Sequence, residues 1–185
     1  MTRAPFDPRD ILPPTSEVLP NLWIGGRPST YIGYELAVSC EQHLARRPMD
    51  DYEGLVLHCP MQDEDDFHID PVRIGHAASL VTVVLQREGK VLIHCTGGLN
   101  RSAVVAARAI EIFVGCTPRE AVALLRKQRD EYVLCNRAFE RWVLGEALPT
   151  AETSAFLSAD AALCQTHGEY YSGYPECPIC KSYNE

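Results

Sequence analysis

The chain predicts an α/β fold: a central, mostly parallel sheet flanked by helices. Short apolar runs near residues 54–60 and 90–95 read as strands buried on both faces, because they lack the polar alternation of a half-solvated sheet. Helical patterns alternate with these runs, the order that gives a parallel sheet. A glycine-bearing loop follows the second run, at the carboxyl end of a strand, where open α/β sheets bind their ligands.

Taken in order, residues 1–16 are proline-rich and polar and predict an extended surface segment. Strands are expected at about 17–25, 54–60 and 90–95. Asp70 before Pro71 is a capped helix start; Val72, His76, Leu80, Val83 and Val84 mark one face of that helix, and Gly89 closes it. Residues 101–113 predict a helix apolar enough to be central. Thr117-Pro118-Arg119-Glu120 is a capping box that opens a helix with Ala121, Leu124 and Leu125 inward, and another helix is expected near 136–146. The expected organisation is a main domain over 17–148, a linker over 149–160 and a small tail over 161–185.

At 185 residues the chain has room for one ordinary domain and an appendage, and 46% hydrophobic content supports a packed core. A net charge of −8 disfavours broad adhesion to nucleic acid or anionic membrane. No apolar run approaches a membrane span, and Met1–Asp10 lacks the apolar stretch of a signal peptide, so a cytoplasmic location is expected. Cys40, Cys59, Cys116 and Cys135 are scattered through expected core elements without framework spacing. They read as buried thiols of a reducing compartment.

The chemistry concentrates in Val91-Leu92-Ile93-His94-Cys95-Thr96-Gly97-Gly98-Leu99-Asn100-Arg101-Ser102, a strand, a glycine-bearing loop and a helix start. Such a loop converges backbone N–H groups on one anion, and the positive end of the helix dipole points at the same place. Three stretches have Cys-x5-Arg spacing. Those from Cys40 to Arg46 and from Cys135 to Arg141 contain no glycine and read as helix, whose N–H groups are already used. Only the copy at Cys95 has the strand, the glycines and the helix.

Cys95, facing these donors and an arginine, is the expected nucleophile in its thiolate form. Arg101 offers a planar fork that binds two phosphoryl oxygens at once. Gly97 and Gly98 allow positive φ and close approach of the backbone to a ligand. Thr96, Leu99 and Asn100 complete the cradle mainly through backbone N–H groups. A leaving oxygen also needs a proton, and Asp63, Glu64, Asp65 and Asp66 follow the second strand. Asp63 comes first and is the expected general acid, with Asp65 and Asp66 as alternates. A solvated turn is the bland reading of this acidic run, and it fits Glu64 and Asp66.

The segment His94–Ser102 resembles the His-Cys-x5-Arg-Ser/Thr signature of cysteine-dependent protein phosphatases, in particular their small dual-specificity branch. Val18-Leu19-Pro20-Asn21-Leu22-Trp23-Ile24-Gly25 is similar to that branch's opening strand, and Asn136-Arg137-Ala138-Phe139 to its closing Asn-x-x-Phe helix, so the resemblance spans roughly 15–148. It implies a phosphatase-like fold and hydrolysis of phosphotyrosine, with or without phosphoserine and phosphothreonine, on protein substrates through a phosphocysteine. It implies that Ser102 donates to the sulfur, where a helix cap is the plainer reading, and that His94 orders the loop. The interval of 32 residues from Asp63 to Cys95 resembles the family's placement of its acid. No cofactor is implied for catalysis. The loop also resembles that of RNA 5′-triphosphatases of the same fold, which leaves a 5′-triphosphorylated RNA as an alternative substrate. A noncatalytic phosphate-binding module is the third reading, although such modules usually lose the cysteine or arginine that this chain keeps.

The tail carries Cys164-x2-His167 and Cys177-Pro178-Ile179-Cys180, two close pairs of soft ligands suited to tetrahedral zinc. A structural zinc knuckle is expected, with Tyr170, Tyr171 and Tyr174 packing round the metal or docking on the main domain. A redox-active or free Cys-x2-Cys pair and a disordered tail are the alternatives.

Overall fold

The computed structural model describes residues 15–42, 52–63 and 70–146, and the backbone of 162–163 and 170–171. Its sheet has five strands: β1 (Thr15–Leu19), β2 (Leu22–Gly25), β3 (Leu36–Ser39), β4 (Leu55–His58) and β5 (Val91–His94), in the order β1-β2-β5-β3-β4. All neighbours are parallel except β1 and β2.

The single strand expected over 17–25 is therefore a hairpin. Pro20 and Asn21 turn the chain, with Asn21 at φ 66° and its amide N donating to Glu17 Oε1 at 3.0 Å. Asparagine tolerates that left-handed conformation, and proline presets the turn. Residues 15 and 16 belong to β1 rather than to an extended segment. β3 has no counterpart in the sequence reading: Leu-Ala-Val-Ser is four residues long, too short to show a period. β4 lies at the sheet edge with Leu55 exposed, not in the buried position expected of it. β5 is the central strand, and all four of its residues are buried.

Four helices follow: α1 (Pro71–Gln86), α2 (Arg101–Val114), α3 (Pro118–Gln128) and α4 (Arg137–Leu144). Asp70 caps α1 by accepting from the amides of Val72 and Arg73, each at 3.0 Å. The buried face of α1 is not the one expected. Val72, His76 and Val83 are exposed, while Ile74, Ala77, Ala78, Val81 and Leu85 point inward against α2. Alanines on both helices let the backbones approach closely, so the seam follows the small residues rather than the largest apolar ones. The chain leaves α1 through Glu88 at φ 61°, not through Gly89. The capping box of α3 forms as expected, with Glu120 N donating to Thr117 Oγ1 at 3.3 Å and Thr117 N to Glu120 Oε2 at 2.8 Å.

The helices pack on one face of the sheet, where Leu36, Val38, Val91 and Ile93 meet Ile110, Leu125 and Phe139. On the opposite face Ala37 and Leu92 are covered by Tyr31, Trp23, Tyr34 and Tyr52. Among the described cysteines, Cys40 and Cys59 are buried as expected, but Cys116 is half-buried and Cys135 exposed, because both lie in helix-flanking loops. No described helix is long and apolar enough to cross a membrane. In the tail, β6 (Ala162–Leu163) pairs antiparallel with β7 (Tyr170–Tyr171). Cys164, His167, Cys177 and Cys180 lie outside the described residues, as do Asp65 and Asp66. Among the described residues no group of three or more His, Cys, Asp or Glu could hold a metal.

Candidate active site

Strand β5 ends at His94, and the next seven residues wrap round one sulfur. Cys95 sits at the floor, 1% exposed, below an exposed Thr96. Gly98 N donates to Cys95 Sγ at 3.2 Å, and Ser102 Oγ lies 3.4 Å from the same sulfur. The sulfur is thus buried with one loop amide and one hydroxyl on it, donors that favour its anionic form.

Of the two loop glycines, only Gly98 is conformationally required. Its φ is 70°, and a Cβ there would overlap the Gly25 carbonyl and sit 2.6 Å from Gly26 N. Gly97 has neither a positive φ nor a neighbour within 4 Å of such a Cβ, so the expected positive φ is found at Gly98 alone. The close partner is β2, whose end supports the loop: Cys95 N donates to Gly25 O at 3.3 Å and Arg27 N to Thr96 O at 3.4 Å.

At the start of α2, Asn100 occupies the N-cap position but makes no capping bond. Its side chain turns outward, donating from Nδ2 to Asp63 Oδ1 at 3.2 Å and accepting from Asn136 N at 3.1 Å. The first-turn amides of α2 are thus left without a side-chain cap, which is how a helix start receives an anion. Thr96, Asn100 and Leu99 were expected to serve through their backbones; two of the three also use their side chains.

Arg101 is 13% exposed, with its guanidinium over the loop. Nη2 donates to Thr96 Oγ1 at 2.8 Å. Nε lies 3.7 Å from Asp63 Oδ2, an ion-pair distance, yet among the described residues this buried N–H has no hydrogen-bond partner. A buried donor without an acceptor is costly, and an oxyanion in the cradle would satisfy it.

Asp63 is brought to the site as the sequence predicts. Asn100 Nδ2, Asn136 Nδ2 at 3.1 Å and the Arg101 ion pair all converge on its carboxylate. Asn136 was legible as a helix cap, and it does cap α4 through Ala138 N at 3.0 Å; its second role toward Asp63 was not.

His94 is buried and shares a 2.8 Å hydrogen bond with the Tyr31 hydroxyl. Burial pushes its pKa down to about 4, so the imidazole is neutral at pH 7 and anchors the strand end rather than carrying charge. Cys40, the decoy next to Cys95 in sheet register, follows β3 directly instead of lying in a helix. Burial pushes its thiol well up, which keeps it protonated. Glu41, buried and paired with Arg27, also borders the loop, and no motif in the sequence marks either residue.

A family model described as dual specificity phosphatase, catalytic domain, matches residues 30–146. The chain belongs to the dual-specificity phosphatase family. It is accordingly a cysteine-dependent phosphatase, a hydrolase. No curated protein matches it in sequence. Among solved structures it is similar to human DUSP28, at 18% identity and TM-score 0.61, covering 74% of this chain and 94% of that one. A mouse putative dual specificity phosphatase complexed with zinc tungstate gives 20% and 0.60, covering 84% and 96%. A human tyrosine phosphatase-like serine/threonine/tyrosine-interacting protein gives 21% and 0.59, covering 71% and 93%. At these identities the likeness is one of fold.

Proposed function

We propose that this dual-specificity phosphatase hydrolyses phosphomonoesters on protein, phosphotyrosine together with phosphoserine and phosphothreonine, through a phosphocysteine at Cys95. The observation that carries the reading is the buried Arg101 Nε, which has no hydrogen-bond partner among the described residues, beside helix amides without a side-chain cap and a floor sulfur. The amides of the loop and the Arg101 fork hold the phosphoryl oxygens, and their charge favours the transition state in which that charge is spread. The Cys95 thiolate attacks phosphorus; the P–O bond to the alcohol breaks, and Asp63 gives the leaving oxygen its proton. Asp63, now a carboxylate, takes a proton from water as that water attacks phosphocysteine. Ser102 donates to the departing sulfur, which leaves as thiolate. The mouse neighbour's tungstate is a tetrahedral oxyanion, the ligand chemistry that this cradle suits.

The test is phosphate release from a panel of phosphotyrosine, phosphoserine and phosphothreonine peptides beside a 5′-triphosphorylated RNA, with Cys95→Ser as control. Release from the peptides and none from the variant supports the reading; release from the RNA alone reassigns the substrate. From the ligand pattern of the tail we also infer one structural zinc on Cys164, His167, Cys177 and Cys180. One mole of zinc per mole of chain, lost in a Cys177→Ser/Cys180→Ser variant, is the expected metal analysis, and metal-free purified protein overturns it.

A further inference from the structure

We propose that Glu41 and Arg27 are positioning residues for Arg101, acting on it through the hydroxyl of Thr96. The inference rests on the reading of Arg101 as the phosphate-binding group.

Glu41 follows β3 by two residues and is 4% exposed, a burial that a carboxylate reaches only with partners. Arg27 supplies them: Nε lies 2.9 and 3.0 Å from the two carboxylate oxygens, and Nη2 makes a 2.8 Å ion pair with Oε1. The hydrogen bond and charge of Glu41 hold the Arg27 guanidinium's pKa up. From Glu41 Oε1 the next contact is Thr96 Oγ1 at 3.4 Å, and from that oxygen Arg101 Nη2 lies at 2.8 Å.

Chemistry fixes the direction of this chain. A guanidinium only donates and a carboxylate only accepts, so the hydroxyl between them accepts from Arg101 and donates its single proton to Glu41. Arg27 holds Thr96 a second time, its amide N donating to the Thr96 carbonyl. Glu41 is fixed at its main chain as well, since its carbonyl lies 2.8 Å from His58 Nε2. Thr96 is thus gripped at both its carbonyl and its hydroxyl by residues that follow β2 and β3.

The arrangement adds no second carboxylate to the Asp63 ion pair of Arg101. Glu41 is neutralised locally by Arg27, so it orients the arginine through a neutral hydroxyl without pairing with it. One edge of the guanidinium is occupied by Thr96, which holds the plane still, while Nε remains open to an oxyanion. A fork held in its binding orientation loses less freedom when phosphate arrives.

The test measures vanadate inhibition and 4-nitrophenyl phosphate kinetics in the full chain. Thr96→Val keeps shape and removes the hydroxyl; about a tenfold rise in the vanadate inhibition constant and a similar fall in kcat/KM are expected, the size of one hydrogen bond to a charged group, at unchanged melting temperature. Thr96→Ser should restore both to within about twofold. In an Arg101→Lys background the Thr96→Val change should add less than about twofold, because the group it positions is gone. Glu41→Gln should weaken vanadate several-fold in the native chain and have no further effect alongside Thr96→Val. Wild-type values in Thr96→Val, or its full effect persisting beside Arg101→Lys, would overturn the proposal. Glu41→Gln that lowers only the melting temperature would remove Glu41 and Arg27 from it. Wild-type protein that neither binds vanadate nor turns over would overturn the proposed function first, and this inference with it.

Discussion

Asn136 donates from Nδ2 to Asp63 Oδ1 at 3.1 Å while its own Oδ1 accepts from Ala138 N at 3.0 Å. One side chain therefore starts helix α4 and holds a carboxylate over the phosphate loop, coupling a fold decision to the site. Asn136→Asp preserves a capping oxygen but sets like charge against Asp63. Its melting temperature should stay within a few degrees of wild type, while kcat on a phosphotyrosine peptide falls by about tenfold. Asn136→Ala should show the same kinetic loss and, in urea, a stability loss of about 1 kcal/mol from the missing cap.

Asp63→Asn removes the proton without removing the size. Turnover of a phosphotyrosine peptide should fall about 100-fold or more, and the loss should shrink on an aryl phosphate whose leaving group needs no proton. Steady-state kinetics on the two substrates check this. An equal loss on both would move the acid role elsewhere.

Gly98 and Gly97 should separate cleanly in a thermal melt. Gly98→Ala forces a side chain into a φ of 70° and into the Gly25 carbonyl, so about 2 kcal/mol or more of stability should be lost. Gly97→Ala meets nothing within 4 Å and should melt near wild type.

The loop was readable because its signals are local: an apolar strand, two glycines and a helix start lie within a dozen residues, and the cysteine, arginine and serine come with them. The capping box at Thr117 and the cap at Asp70 were readable for the same reason. The sequence reading failed where structure depends on pairing. β3 is four residues that become a strand only between β4 and β5, and Arg27 and Glu41 are brought together across the sheet from positions 14 apart. On α1 hydrophobicity alone points to the valines, whereas close packing against α2 selects alanines.

His94 makes stability depend on pH. Its folded pKa of about 4 lies below the unfolded value near 6.5, so between these the unfolded chain takes up a proton that the folded one refuses. The contribution is fully present above pH 6.5 and is lost as pH falls toward 4, amounting to roughly 3 kcal/mol over the window. Urea midpoints of wild type and His94→Gln at pH 7 and pH 4.5 should show the steeper loss in wild type, by that order. Parallel losses would show that the buried imidazole does not titrate in this range.

The central claim is that the sulfur of Cys95 becomes bonded to phosphorus. Rapid acid quench during turnover of a phosphotyrosine peptide, followed by peptide mapping by mass spectrometry, reads that bond directly. One phosphoryl group on the peptide containing Cys95 is expected, absent in Cys95→Ser, whose phosphate release should be abolished. A Cys95→Ser chain that releases phosphate at the wild-type rate, or a phosphoryl group trapped on another residue, would contradict the account.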